Sequence, residues 1–302
     1  MKTQNLIPAG FALALLFFTL NPQLSTCVAA TTINTTNKFS YGANIGWMDW
    51  HADGTNGAVI GEFVCSGYIY AANVGWINLG GGSPDNGFQY ANTIASDFGV
   101  NHDGQGNLRG YAYGANIGWI NFENIGNPRV NLQTGVLDGH VWGANVGWIS
   151  LSNAFAVVKT DSFFPGGDKD EDGIPDQWEY LQTDDIEILS GDGHDEDGDG
   201  LSDVQEYLAD TDPLDANDNL RITSYSMLIS DDKEAHTLTW TSRPTRFYKL
   251  NSADNFNPGF SFSPIGSLIS PAAGPTTTDE ISIQPASDQR FFRIEALRPL
   301  AP

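Results

Sequence analysis

Cysteine and basic residues are scarce in this sequence. Only two cysteines occur among 302 residues, and one of them, Cys27, lies in an apolar N-terminal stretch. A chain that has lost this stretch keeps Cys65 alone and can form no internal disulfide, so its loops need another stabilising element, such as bound metal. Lys and Arg number 14 against 37 Asp and Glu, which gives a formal net charge of −23. Such a chain repels phosphate backbones, and we expect no nucleic-acid partner.

Long apolar runs are absent after residue 30, and we expect no transmembrane segment there. Before that point, Lys2 is followed by LIPAGFALALLFFTL and then by the small residues VAA at 28–30. This order of basic, apolar and small residues is typical of a secretory signal peptide. We expect residues 1–30 to be removed and the protein to be secreted or held at the cell surface. A retained membrane anchor and lipid attachment at Cys27 are the alternatives.

Signatures of catalysis are absent as well. Five histidines are scattered without a metal-binding spacing, and no nucleophile elbow, phosphate-binding loop or zinc-protease helix occurs. Asp49, Asp53, Asp103 and Asp138 offer carboxylates for acid–base chemistry, but nothing in their spacing selects a pair. We therefore expect a protein without enzymatic activity.

The first half of the chain contains a four-copy repeat. Its copies are YGANIGWMDW (41–50), YAANVGWINL (70–79), YGANIGWINF (113–122) and WGANVGWISL (142–151), and their asparagines are spaced by 29, 43 and 29 residues. Alternating apolar residues on both sides of a Gly-Ala-Asn or Ala-Ala-Asn turn predict strand, turn and strand in each copy. Residues 31–160 should therefore form an all-β repeat domain. The motif resembles a repeat found in bacterial exported proteins.

Each copy carries a tryptophan three residues after its turn asparagine, and two interpretations of these four side chains stay open. Large aromatic residues usually fill the interior of a repeat protein, which favours a position in the core. Exposed aromatic faces beside polar groups instead form sugar-binding surfaces, which would make this an adhesion or carbohydrate-binding protein with a glycan or another cell-surface component as its partner. The side chains concerned are Trp47, Trp76, Trp119 and Trp148.

The negative charge is concentrated in two twelve-residue windows, DKDEDGIPDQWE from Asp168 and DEDGDGLSDVQE from Asp195. An EF-hand calcium loop supplies oxygen ligands from positions 1, 3, 5, 7, 9 and 12 and bends at a glycine in position 6. Both windows match at every position, with Gly173 and Gly200 at the bend. The predicted ligands are Asp168, Asp170, Asp172, the Ile174 carbonyl, Asp176 and Glu179 in the first window, and Asp195, Asp197, Asp199, the Leu201 carbonyl, Asp203 and Glu206 in the second.

The ion expected at these ligands is calcium (Ca2+). Zinc is disfavoured because neither window contains cysteine, and magnesium because a long loop ending in a bidentate glutamate suits a larger and less regular ligand shell. A solvated acidic linker that binds no specific metal is the alternative.

The windows and the tail ADTDPLDANDN (209–219) resemble the thrombospondin type 3 calcium repeats of secreted bacterial proteins. The resemblance covers residues 168–219 and implies a spacer wrapped around calcium ions, with Asp210 and Asp212 as additional ligands. The first copy departs from the pattern, since its tail QTDDIEIL lacks the proline.

The remaining segment, residues 220–302, contains the apolar and alternating stretches HTLTWTS, RFYKL and RFFRIEAL. They predict a small β-sandwich with Trp240 in its core, and they resemble β-domains that follow such calcium repeats in bacterial surface proteins. The predicted fold class is mainly β, with the repeat domain (31–160), an acidic calcium-binding segment with short helices (161–219) and the sandwich (220–302). The expected function is that of a secreted or cell-surface structural protein in which calcium folds and stiffens the segment between two β domains.

Overall fold

The structure is a computed structural model that describes residues 30–301, except 192, 231–232, 256, 258 and 284–289. The expected signal peptide and Cys27 lie outside the described residues. Strands make up 45% of the part of the chain that the structure describes and helices 7%, which confirms the mainly β fold. Among the described residues, no helix is both long and apolar enough to cross a membrane.

Residues 33–160 form thirteen strands. Their bounds are β1 Ile33–Gly42, β2 Gly46–Asp49, β3 Val59–Ile60, β4 Cys65–Ala71, β5 Gly75–Gly81, β6 Val100–His102, β7 Leu108–Gly114, β8 Gly118–Asn121, β9 Arg129–Val130, β10 Leu137–Asp138, β11 His140–Gly143, β12 Gly147–Ser150 and β13 Val158–Thr160. A short 3-10 helix covers Asn124–Gly126.

Eight of these strands close into an antiparallel barrel, in the order β12, β11, β8, β7, β5, β4, β2, β1. Closure occurs because β1 also pairs with β12, with Tyr41 opposite Ser150. Each repeat copy is one hairpin of the barrel, and its Gly-Ala-Asn or Ala-Ala-Asn segment is the turn. Closure leaves none of these eight strands as a bare edge, which removes the template for unwanted strand pairing.

Side chains fill the barrel interior. Alternation along each strand turns one set of residues inward, such as Ile120 in β8, while its neighbours Trp119 and Asn121 face outward. Met48, Trp50 and Phe122 lie in the same core and are at most 2% exposed. The void that remains between these side chains is about 10 Å³, no more than a single water molecule occupies, so the interior has no room for a larger ligand.

The turn asparagines join neighbouring hairpins. Asn73 donates its side-chain amide to the carbonyl of Ile45 in the preceding turn, at 3.0 Å. The equivalent bonds from Asn116, Asn145 and Asn44 are also 3.0 Å long, and the last one closes the ring across 102 residues of sequence. The repeat spacing therefore reflects four copies of one inter-hairpin contact.

The acidic segment contains two short helices, α1 (Asp176–Thr183) and α2 (Asp203–Ala209). Each begins inside one of the acidic windows, as the sequence predicts. Ser202 and Gln205 form a capping box at the start of α2. The buried side chains of Ile174, Trp178, Leu189 and Tyr207 give the segment a small core of its own.

The described C-terminal residues form six strands: β14 Ile222–Ser230, β15 Lys233–Thr241, β16 Phe247–Ala253, β17 Ser263–Ile269, β18 Thr276–Ile283 and β19 Phe291–Leu297. They make two three-stranded sheets, ordered β14-β15-β18 and β17-β16-β19. Leu238 and Trp240 from the first sheet share one core with Tyr248 and Leu250 from the second, as expected of a small sandwich.

Helix α2 meets both β units at one junction. The Tyr207 hydroxyl donates to Glu62 of the barrel unit at 2.9 Å, and Arg298 from the C-terminal tail donates to the same carboxylate at 3.2 Å. Arg298 also lies over the Tyr207 ring. Arg246 of the sandwich donates to the carbonyls of Tyr207 and Leu208, each at 2.9 Å. The acidic segment is thus held at its second window by contacts from both sides.

Candidate metal centre

The first acidic window folds as a tight loop around its leading carboxylate. Asp168 accepts hydrogen bonds from the backbone N–H groups of Asp172 (3.2 Å) and Gly173 (3.0 Å). Asp172 in turn accepts from the N–H of Ile174 at 2.8 Å. Gly173 has φ +97°, a conformation that side chains rarely adopt, which explains why the bend requires glycine.

This loop brings its acidic side chains together. Ligand atoms of Asp170, Asp172 and Glu179 lie within 4.8 Å of one another, and so do those of Asp168, Asp170 and Asp176. The side chain of Ile174 is fully buried in the small core, which fixes the loop against α1. Like charges at this separation repel each other, so a multivalent cation among them would be favourable.

The second window repeats the geometry. Asp195 accepts from the N–H groups of Asp199 (3.2 Å) and Gly200 (2.9 Å), and Gly200 has φ +99°. Ligand atoms of Asp195, Asp197 and Asp199 lie within 4.8 Å of one another. Leu201 is half-buried, and its N–H donates to Asp199 at 2.7 Å.

The glutamates at position 12 lie beneath the acidic clusters. Glu179 and Glu206 have no exposed surface, although glutamate is rarely buried without a partner. Burial, followed by the nearby Asp172 carboxylate, raises the pKa of Glu179 to about 8. Burial, followed by Asp197, likewise raises the pKa of Glu206 to about 8.

Several carboxylate oxygens in the two loops are buried without a hydrogen-bond donor among the described residues. They are Oδ2 of Asp172, both oxygens of Glu179, Oδ2 of Asp197 and Asp199, and Oε2 of Glu206. Buried acceptors without a donor are costly, and proteins rarely keep them unless an ion or water satisfies them. These oxygens fit a hard cation that takes six to eight oxygen ligands.

The acidic residues at position 9 close the loops. Asp176 accepts from the N–H of Lys169 at 2.8 Å, and Asp203 accepts from the equivalent N–H of Glu196 at 3.1 Å. Asp203 has no exposed surface, and it also bonds the N–H of Ser190 and the ring of His194. Its oxygens are therefore occupied by protein donors, whereas Asp176 still belongs to one of the acidic groups.

The two tail aspartates lie apart from the loops. Asp210 contacts Thr245 and Arg246 of the sandwich, and Asp212 accepts from the N–H of Leu214 at 3.0 Å. Neither joins an acidic cluster among the described residues. Asp210 acts here as a contact to the C-terminal sandwich.

The expectation that the repeat tryptophans lie in the core is wrong. Trp47, Trp76, Trp119 and Trp148 are 45–50% exposed and point outward from the barrel. The inward positions are already occupied by the residues that alternate with them, such as Met48 and Ile120.

Each repeat tryptophan has an aromatic partner directly across its hairpin. Tyr41 faces Trp47, Tyr70 faces Trp76, Tyr113 faces Trp119 and Trp142 faces Trp148, with ring centroids 4.9–5.4 Å apart. We call these four pairs the aromatic collar. The sequence pattern did not lead us to predict these partners, although each precedes its tryptophan by six residues in every copy.

Comparison with known proteins finds no match of this chain to a protein-family model, a curated protein or a solved structure.

Proposed function

We propose that this is an exported structural protein that binds two calcium ions, one in each acidic loop. The observation that carries the proposal is that both oxygens of Glu179 and Oε2 of Glu206 are buried beside the aspartates of each loop without a hydrogen-bond donor among the described residues. Three features of the sequence support the same function. The acidic windows resemble thrombospondin type 3 repeats, the N-terminus resembles a signal peptide, and Cys65, the only cysteine after Cys27, has no partner for an internal disulfide.

The role of calcium in this proposal is to stabilise the folded segment. The ion binds the closed loop and not the extended chain, so it adds its binding free energy to folding. In the first loop, Asp168, Asp170, Asp172 and Glu179 hold the ion while Asp176 closes the loop. In the second loop, Asp195, Asp197, Asp199 and Glu206 hold it while Asp203 keeps the chain folded around His194. Millimolar calcium, as found outside cells, suits sites of this kind.

Calorimetric titration of the intact protein with calcium tests this function. The wild type should show two sites. Glu179→Gln and Glu206→Gln should each weaken one site by about tenfold or more, because a neutral amide removes both a charge and the bidentate contact.

Glu187→Gln is the matched control. Glu187 is an exposed acid between the two loops, so its loss removes the same charge without touching either cluster. Absence of binding at millimolar calcium would contradict the proposal. An equal loss in the control would contradict it too, since a diffuse acidic linker would then explain the binding.

A further inference from the structure

The aromatic collar is bordered by polar side chains at fixed positions. Where one hairpin pairs with the next, a polar residue lies directly opposite a collar ring: Asp49 opposite Tyr70, Asn78 opposite Tyr113, Asn121 opposite Trp142 and Ser150 opposite Tyr41. The outer surface therefore presents four copies of an aromatic pair with a polar group at its side. Cross-strand neighbours of this kind lie close enough to contact one ligand together.

Two of the four polar groups are available to a ligand. Asn78 and Asn121 each accept a backbone N–H with the side-chain oxygen, at 2.8 and 2.6 Å, which fixes the amide orientation. Their amide N–H donors have no protein partner among the described residues. Asp49 is instead paired with Lys38 at 2.8 Å, and the Ser150 hydroxyl donates to the Ser152 carbonyl.

We propose that the aromatic collar binds a neutral polysaccharide, with its strongest contacts at Asn78 and Asn121. A pyranose ring has an apolar face of C–H groups and an edge of hydroxyls, and it needs an aromatic surface next to a hydrogen-bonding group. The collar provides both within one cross-strand pair. Trp119 lies two residues before Asn121 on β8, and its cross-strand partner Tyr113 lies opposite Asn78. The ring centroids of Phe98 and Trp119 are 5.0 Å apart.

Charge and patterning favour this ligand over others. The barrel unit, residues 31–160, has eight Asp and Glu against four Lys and Arg, and this negative balance disfavours anionic polymers and anionic lipid surfaces. A barrel surface buried in a neutral bilayer would need a wide band of apolar side chains. Here the next outward-facing residue after each repeat tryptophan is polar, namely Asp49, Asn78, Asn121 and Ser150.

The fourfold repetition fits a repetitive ligand. One site with a few contacts binds sugars weakly, whereas several equivalent sites on one protein gain affinity when they engage one polymer or neighbouring polymers. The ligand class is therefore a chain of sugars rather than a free monosaccharide.

Native electrophoresis in gels that contain a soluble polysaccharide tests the proposal with the intact protein in calcium, since its negative charge ensures migration. The probes are hydroxyethyl cellulose, galactomannan, xylan and dextran, with carboxymethyl cellulose as an anionic polymer. We expect retardation by at least one neutral polymer and little by carboxymethyl cellulose. The double variant Trp76→Ala/Trp119→Ala should weaken retardation on the order of tenfold, as loss of aromatic anchors does in other interfaces. Asn78→Ala/Asn121→Ala should weaken it while every indole stays in place.

Phe155→Ala is the matched control, because Phe155 is 89% exposed and lies outside the collar. The control should migrate as the wild type does, and circular dichroism should show that all variants remain folded. Absence of retardation in every neutral polymer would overturn the proposal. Equal loss in the control, or binding to phosphatidylcholine vesicles without binding to polysaccharide, would overturn it as well.

Discussion

At the scale of single residues, His102 shows how a buried titratable group is kept neutral. Its Nδ1 lies 2.8 Å from the Gly61 carbonyl and therefore carries the proton, while Nε2 accepts the N–H of Gly106 at 3.1 Å. A second proton on Nε2 would break the bond to Gly106. Burial lowers the pKa of His102, against smaller opposing effects of the Gly61 carbonyl and the Asp103 carboxylate. The histidine joins three segments of the barrel unit only in its neutral form.

This arrangement predicts a pH dependence of stability. Above the unfolded value of 6.5, both folded and unfolded chains hold a neutral His102. As the pH falls below that value, the unfolded chain takes up a proton that the folded chain refuses until its own lower pKa is reached, so folding stability is lost in that window. His102→Asn keeps a donor near Gly61 and cannot titrate. We expect its unfolding midpoint to fall less than that of the wild type between about pH 7.5 and about pH 5.5.

Thermal unfolding in saturating calcium gives the unfolding midpoint of the wild type and of His102→Asn at each pH. The acidic loops are the same in both proteins, so their contribution cancels in the difference between the two midpoints. If the unfolding midpoints of the two proteins fell equally with pH, the pH dependence would not come from His102.

At the scale of the structural elements, the barrel depends on how hairpins join. Strands within a hairpin share four or five residue pairs, as in β4 and β5, whereas the ladder between neighbouring hairpins contains only two, as in β5 and β7. The turn asparagines add a side-chain bond to each of these short contacts. This is the physical reason why asparagine recurs in every copy.

Loss of one such bond should destabilise the barrel. Asn73→Ala removes the donor to the Ile45 carbonyl, and we expect the free energy of unfolding to fall by about 1 kcal/mol. Urea denaturation followed by tryptophan fluorescence measures the change. Asn37→Ala is the control, because Asn37 is exposed and its side chain makes no hydrogen bond among the described residues. Equal unfolding curves for the two variants would show that the inter-hairpin bonds add nothing.

At the scale of the whole molecule, the second acidic loop and the junction are adjacent in sequence. Glu206 lies under the acidic cluster, and the next residue, Tyr207, bonds Glu62 of the barrel unit and contacts Arg298 of the tail. Order that calcium would impose on this loop would therefore pass directly to the contacts between the β units. The proposed ion would set the arrangement of the molecule as well as the fold of one segment.

Removal of calcium should expose the acidic segment to proteases. With a chelator, repulsion among the carboxylates should open both loops, and limited proteolysis should cut within residues 161–219 while the barrel survives. Mass spectrometry of the fragments locates the cuts. Tyr207→Phe, which loses the bonds of the hydroxyl to Glu62 and Arg298 but keeps the ring, should raise the cutting rate in calcium without abolishing protection. Equal digestion with and without chelator would contradict the stabilising role.

The sequence alone predicted the features that are local in the chain. The acidic loops are contiguous, and their hydrogen bonds to Asp168 and Asp195 span at most five residues, so the spacing of aspartate and glycine specifies the loop. The four hairpins, the short helices after the loops and the core position of Trp240 were predicted for the same reason.

Only the tertiary structure decided which face of each barrel strand points outward and which carboxylates are already bonded to protein groups. Ile120 and Trp119 are both apolar, so a single strand does not reveal which of them fills the core; the closed barrel has room for the aliphatic set, and the tryptophans lie outside. The partners of Asp203, the contact of Asp210 with the sandwich and the meeting of Glu62 with Arg298 likewise depend on how separate segments approach each other. These arrangements join distant parts of the chain, and no local pattern encodes them because their energies arise only when the modules pack.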